Sequence, residues 1–313
     1  MAGLPPAIFL MGPTASGKTG LAVKLYQHLP VELISVDSAL VFKGMDIGTA
    51  KPDEALLAEA PHHLIDLISP TEVYSAASFR QDALKLMAEI TARGKIPLLV
   101  GGTMLYFRAL QEGLSVLPQA DICVRARLDA EALKVGWPAM HSKLASIDPE
   151  SAARLKPSDA QRIQRALEVY EISGKTMTAL HQESILDGFP YSLLKIALVP
   201  SDRSVLHSRI ATRFDDMLKL GFLDEVKVLL NVYPALTPHL PSMRCVGYRQ
   251  ALEHLSGEYG EAELRDRGIF ATRQLAKRQL TWLRGMNDTF VVDCLSPELF
   301  NLVFNEIKQF IKN

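Results

Sequence analysis

Short unbroken apolar runs, each closed by turn residues, dominate the first hundred positions. Ala7-Ile-Phe-Leu-Met11 ends in a Gly-rich turn and predicts a strand buried on both faces, as in a parallel sheet. Lys18–Gln27 has helical spacing, with Leu21, Leu25 and neighbouring alanines on one side. Leu33–Val36 predicts a second strand, and His63–Ile68 is a third short apolar run. Ser75–Arg93 predicts a helix: Phe79, Leu84, Met87 and Ile90 share one side, and Gly94 stops it. Pro97–Val100 predicts another buried strand, ending at Gly101-Gly102-Thr103. Strands alternating with helices imply a parallel α/β sheet.

The pattern changes near Leu117. Up to about Pro190 helical stretches are broken by Pro, Gly and Asp, with no strand pattern. Leu194–Val199 then resumes a strand, helices fill Arg203–Arg284, Thr289–Val292 predicts a last strand and Pro297–Ile311 a closing helix. The expected class is α/β: a parallel sheet flanked by helices, interrupted by an all-helical insertion. The expected regions are residues 1–117 (core), 118–192 (insertion) and 193–313 (completion of the core).

With 313 residues, 48 % of them hydrophobic, the chain can bury a large core. No run of about 18 apolar residues predicts a membrane span. Met1–Pro6 lacks a basic region and an apolar signal core, so a cytoplasmic protein is expected. Cys123, Cys245 and Cys294 show neither metal-ligand spacing nor a disulfide framework and are expected to be buried free thiols. Net charge is −1, but Arg265, Arg267, Arg273, Lys277, Arg278 and Arg284 face a single acid, Asp266. On a neutral protein this predicts either a nucleic-acid face or a solvated helix face.

Gly12, Pro13, Thr14, Ala15, Ser16, Gly17, Lys18 and Thr19 fit G-x-x-x-x-G-K-[ST] between a strand and a helix, the context a phosphate-binding P-loop needs. Such a loop curls backbone N–H groups around phosphate oxygens, and the helix N-terminus adds partial positive charge. Lys18 supplies a mobile cation, and the Thr19 hydroxyl can ligate Mg²⁺. Nucleotide hydrolases usually carry an acid at the end of a second strand. Here that strand ends in Gly-Gly-Thr, which argues against ordinary hydrolysis.

Asp37 follows the second strand, at the sheet edge where parallel sheets bind ligands. It could ligate Mg²⁺, act as a general base, accept from a substrate amine, or merely cap a turn. Thr103 occupies the equivalent place after its strand and could hold a phosphate or a base edge, or N-cap the helix that follows.

Three segments together, Gly12–Thr19, Ser35–Pro52 and Leu99–Tyr106, strongly resemble the tRNA dimethylallyltransferase (tRNA isopentenyltransferase) family in its bacterial form. Ala166–Tyr170, Arg244–Arg249 and Thr272–Arg284 extend the resemblance, in order, along most of the chain. It implies transfer of a dimethylallyl group from dimethylallyl pyrophosphate to N6 of the adenosine 3′ of the anticodon, in tRNAs reading codons that start with U. The P-loop would then grip a leaving pyrophosphate, with Mg²⁺. The resemblance makes Asp37 the general base, and assigns Lys18, Thr19 and Arg213 to the pyrophosphate, with Arg209 the rival of Arg213 one turn away. It assigns Thr103 and Arg125 to the tRNA, a partner bound as its anticodon stem-loop by a monomer. Further tRNA contacts fall on Asp37, Ser38, Ala39 and Leu40, and on Gln161, Arg162, Ile163, Gln164 and Arg165. They also fall on Ser242, Met243, Arg244, Cys245, Val246 and Gly247, and on Leu275, Ala276, Lys277, Arg278, Gln279, Leu280, Thr281 and Trp282. Leu40 and Phe42 depart from the family pattern, which has Gln and Tyr there.

Two other readings share parts of this pattern. A small-molecule kinase needs the P-loop and a helical lid but not the basic segment. An isopentenyltransferase acting on free adenine nucleotides needs the P-loop and Asp37 but not Gln161–Arg165.

Overall fold

The computed structural model describes residues 3–115, 117–183 and 188–312. Residues 1, 2, 116, 184–187 and 313, which fall within the three expected regions, lie outside the described residues. The chain divides into two compact units, Met1–Gln111 with Phe189–Asn313, and Glu112–Gly188.

In the larger unit the first elements are β1 (Pro6–Met11), α1 (Lys18–His28), β2 (Val31–Val36), α2 (Glu54–Glu59), β3 (His62–His63), α3 (Ala76–Ala92), β4 (Ile96–Gly101) and α4 (Met104–Glu112). The smaller unit holds α5 (Ile122–Val135), α6 (Trp137–Ile147), α7 (Pro149–Arg154), α8 (Ala160–Ser173) and α9 (Met177–Glu183). The larger unit resumes with β5 (Ser192–Val199), α10 (Arg203–Lys219), α11 (Phe222–Val232), α12 (Tyr248–Leu255), α13 (Glu261–Arg284), β6 (Thr289–Asp293) and α14 (Leu299–Lys312).

Six parallel strands run in the order β3-β2-β4-β1-β5-β6. The expected α/β sheet is therefore present. Side-chain alternation divides each central strand between two apolar layers. Phe9 and Met11 pack with Phe79, Met87, Phe107 and Ile210 on one face, drawn from α3, α4 and α10. Ile8 and Leu10 pack with Leu25, Val303 and Ile307 on the other, drawn from α1 and α14. The Phe9 and Phe107 rings meet tilted, their centroids 4.8 Å apart, and burying each ring is worth about 2–3 kcal/mol.

Local signals set the element ends. Ser75 caps α3 by accepting from the Ser78 N–H, and Gly94 leaves the helix at φ 71°. Of the apolar run His63–Ile68 only the start is strand, in β3 at His62–His63, and a single bridge joins Phe42 to Ile68. Leu64 and Asp66 have positive φ, which no strand tolerates.

The smaller unit has its own core, in which Leu128, Met140, Leu144, Ile163 and Leu167 meet. None of the described helices is long and apolar enough to cross a membrane. Of the three cysteines only Cys294 is fully buried; Cys123, in the first turn of α5, is exposed, contrary to expectation.

Candidate active site

The sheet register brings the chemistry to one edge. Met11 pairs with Gly101, and Gly101 with Val36, so three strands end at one level. The residues that follow are Gly12, Gly102 and Asp37. Asp37 therefore lies two strands from the P-loop, roughly 10 Å across the edge, enough for a pyrophosphate and a short chain.

The P-loop is fixed by packing rather than by sequence pattern alone. A Cβ on Gly12 would stand 2.8 Å from Ser16 Oγ and 3.1 Å from Leu198 Cβ. Ala15 holds φ 63°, an unusual conformation for a residue with a side chain and one expected where a loop is shaped for binding. The N–H groups of Ala15, Gly17, Lys18 and Thr19 have no partner among the described residues. These free donors at the start of α1 form an anion cradle. Ser16 Oγ is buried beside them without a hydrogen-bond partner.

Lys18 Nζ donates to the Pro13 carbonyl at 2.7 Å. Burial pulls its ammonium down to about 8; the Asp37 carboxylate opposes that pull and Arg213 adds to it. Burial also lowers Arg213, again against the pull of Asp37. Lys18, Arg213 and Asp37 thus lie in one electrostatic neighbourhood. Arg209 is exposed and acts instead on Cys294.

Asp37 Oδ1 accepts from the Ala39 N–H at 2.8 Å, so the turn-capping role is real. It uses one oxygen and leaves the other without a described partner. Thr103 does not cap α4 with its side chain. Its Oγ1 accepts from the Ser38 N–H at 3.0 Å and ties the Asp37 turn to the end of β4. Cys245 also lies near Asp37: burial, then the Asp37 charge, push its thiol up to about 12. Burial and Asp37 likewise raise the Tyr106 phenol, so it stays protonated and donates to the Tyr74 carbonyl at 3.2 Å.

Two residues that sequence reasoning did not single out, Glu225 and Lys51, build the loop after Asp37, and Arg213 joins them. Glu225 accepts the consecutive N–H groups of Asp46, Ile47 and Gly48, and the hydroxyl of Tyr248. Lys51 is almost wholly buried and donates to the Phe42 carbonyl and to Asp46 and Asp66. Arg213 Nη2 reaches the Thr49 carbonyl of the same loop at 3.5 Å. A cavity of about 900 Å³ is lined by this loop and by Arg209, Thr212, Arg213 and Met217 of α10. It includes no P-loop residue, so it adjoins the phosphate cradle and is not the cradle itself.

The expected tRNA-contact stretches divide sharply by exposure. Ser38, Arg244, Lys277, Arg278, Thr281 and Trp282 are exposed, and Ala39, Leu40, Cys245, Val246 and Leu275 are half-buried. Ser242, Met243, Gly247, Ala276, Gln279 and Leu280 are buried, so what they contribute is the position of their neighbours. In the helical unit Gln161 and Arg162 are exposed, Gln164 donates to Asp129, and Ile163 is fully buried in the core. Arg125 and Arg165 both grip the buried carboxylate of Glu168.

The basic stretch is also smaller than its composition implies. Arg265 pairs with Asp215 and Asp266. Arg267 pairs with Glu263 and Glu253 and lies over the Tyr259 ring at 4.3 Å. Arg273, Lys277, Arg278 and Arg284 have no ion pair among the described residues. Arg273, Lys277 and Arg284 line a cavity of about 420 Å³ with Arg203, His207 and Phe270.

Free backbone donors opposite a carboxylate on the carboxyl edge of a parallel sheet, with the half-buried Lys18 and Arg213 in the same electrostatic neighbourhood, are the parts a group-transfer enzyme needs. The sequence model described as IPP transferase matches residues 40–286. A tRNA dimethylallyltransferase of Methylobacillus flagellatus is 66 % identical over 98 % of this chain and 98 % of its own. One from Janthinobacterium sp. (strain Marseille) is 60 % identical over 97 % of each. A solved full-length tRNA isopentenylpyrophosphate transferase from Bacillus halodurans superposes with TM-score 0.69 at 36 % identity, over 98 % of this chain and 95 % of that one. A eukaryotic dimethylallyltransferase solved acting on tRNA gives 0.83 at 27 % identity, over 99 % and 80 %. The chain belongs to the IPP transferase family, and is thus an enzyme that transfers prenyl groups.

Proposed function

We propose that this chain transfers the dimethylallyl group of dimethylallyl pyrophosphate to N6 of the adenosine 3′ of the anticodon, in tRNAs reading codons that start with U. The C–O bond to pyrophosphate breaks and an N–C bond forms. Asp37 takes the proton that leaves N6, and the pyrophosphate carries away the electron pair of the broken bond. The carrying observation is the placement of Asp37 across the sheet edge from Lys18 and Arg213, within electrostatic reach of both. The base and the leaving-group clamp thus face one substrate gap. An adenosine whose amine is to react must leave its stack to enter such a site.

The residues present suit Mg²⁺. No cluster of three His, Cys, Asp or Glu side chains exists among the described residues. Mg²⁺ is content with one or two protein oxygens, substrate phosphates and water. The Thr19 hydroxyl, exposed and without a described partner, would hold it beside the free N–H groups of the loop. When bound, the ion neutralises charge on the departing pyrophosphate.

The test offers the protein unmodified tRNA, labelled dimethylallyl pyrophosphate and Mg²⁺, with AMP and ATP as competing acceptors. Label is expected on the tRNA. Label on AMP or ATP would overturn the assignment of acceptor.

Lys18 gives a pH signature. A bound anion raises its pKa above 8, so inorganic pyrophosphate should bind with proton uptake near pH 8. Its affinity should then weaken as pH rises further, by up to about tenfold per unit. Calorimetry in buffers of different ionisation heat measures the uptake, and Lys18→Met should remove that component.

The unpaired cations of α13 give a salt signature. Lys277→Ala should weaken tRNA binding and flatten the dependence of log affinity on log salt by about one unit. Arg265→Ala should leave that slope unchanged, because Asp215 already neutralises it.

A further inference from the structure

Gln279 lies among the exposed cations of α13, yet its side chain turns inward and is only 8 % exposed. Its Oε1 accepts from the Thr14 N–H at 2.8 Å, and its Nε2 donates to the Gly102 carbonyl at 2.9 Å. The first partner only donates and the second only accepts, so the carboxamide has one orientation. The contact is close: a Cβ on Gly102 would stand 2.4 Å from Nε2 and 3.3 Å from the Gly12 carbonyl. From Gly102 the connection runs on. The Thr103 N–H donates to the Val36 carbonyl at 3.2 Å, and Thr103 Oγ1 accepts from the Ser38 N–H, next to Asp37. One amide therefore joins the loop that cradles phosphate to the turn that carries the carboxylate.

We propose that Gln279 is a positioning residue that sets the spacing between the pyrophosphate cradle and Asp37, and that it makes no contact with the RNA. The inference rests on the function proposed above and deepens it. It also explains why a polar residue is buried here. A carboxamide offers a donor and an acceptor in one rigid plane, matched to one N–H and one C=O. A carboxylate would face the Gly102 carbonyl oxygen with its own, and an apolar side chain would leave both backbone groups unpaired.

The test compares full-length wild type with Gln279→Met, which keeps the volume and loses both bonds, and Gln279→Glu, which keeps only the acceptor. Single-turnover transfer is measured at saturating tRNA and dimethylallyl pyrophosphate, normalised to folded enzyme, beside tRNA affinity by equilibrium binding. The rate constant is expected to fall roughly 10- to 100-fold in both variants, as a misplacement of about 1 Å can produce. tRNA affinity should stay within about threefold. An amide that only stabilises the fold would lower the fraction of folded enzyme and leave the rate constant alone; that result overturns the proposal. A loss confined to tRNA affinity overturns it too, because Gln279 would then touch RNA. If Gln279→Met does not fold, Gln279→Glu carries the same comparison. Failure of wild type to prenylate tRNA removes the proposed function itself, whereas equal rate constants for wild type and variants remove only the positioning role.

Discussion

Replacing Asp37 with Ala or Asn is expected to abolish prenyl transfer while leaving tRNA affinity within a few-fold. A positioned general base contributes roughly 10²–10⁴-fold. Asp37 can act as one because Oδ1 is engaged by the Ala39 N–H, which holds the carboxylate in place. Asn keeps that hydrogen bond and nearly the same shape but cannot take a proton. It therefore separates proton abstraction from turn geometry. The loss in Asn should approach the loss in Ala if the proton matters, and should be slight if the turn is what matters. The substitution has a second effect. Asp37 holds the Lys18 pKa up against burial, so removing its charge lets Lys18 fall below about 8 and weakens the pyrophosphate grip at higher pH. Rapid-quench transfer at pH 7 with saturating donor isolates the chemical step. Transfer by Asp37→Asn within tenfold of wild type would show that Asp37 is not the base.

The pattern of apolar runs was enough to place five strands, and the glycine–lysine spacing to place the loop after the first, because each depends on neighbours within a dozen residues. β3 escaped because its pairing ends where Leu64 and Asp66 turn to positive φ, and no periodicity announces that. The fate of charges was least legible. Arg265 and Arg273 look alike in sequence, but the first meets Asp215, 50 residues away, and the second meets no described acid. Glu225 reads as one more charge on an amphipathic helix. Its acceptors serve N–H groups nearly 180 residues earlier. The only sequence signal for it was indirect: the loop Met45-Asp-Ile-Gly48 has N–H groups that must be satisfied somewhere. Ile163 and Gln279 sit in stretches that resemble RNA contacts as a whole. A stretch of helix necessarily includes inward-facing positions, and only the fold separates them from the exposed ones.

The second large effect concerns the helical unit. Glu168 is fully buried, and burial alone would raise its carboxyl. Hydrogen bonds from Arg125, Arg165 and the Asp121 N–H outweigh that and hold it below its usual range. Glu168→Ala leaves two guanidinium groups and an N–H without their acceptor. Removing one partner of a buried pair costs about 3–5 kcal/mol. Arg125 and Arg165 keep 44 % and 27 % of their side-chain surface in water, which reduces the cost to roughly 2–4 kcal/mol. Native-state hydrogen exchange should show faster opening of α5 and α8 by about one and a half to three decades, with β1 and β4 unchanged. The pH dependence has a definite sign. A carboxyl whose folded pKa is depressed stabilises fully above its unfolded value and loses that stabilisation as pH falls through the folded one. Protection of α8 in wild type should therefore decline below about pH 4.5, and Glu168→Gln should remove most of that decline. Unaltered exchange in Glu168→Ala would mean that Arg125 and Arg165 are not held by this carboxylate in solution. They would then be free to grip RNA directly. If exchange does accelerate, the same two arginines are structural ties, and Arg162, 73 % exposed but paired with Asp159 at 3.0 Å, is left as the cation of that helix that can meet a phosphate by exchanging that partner.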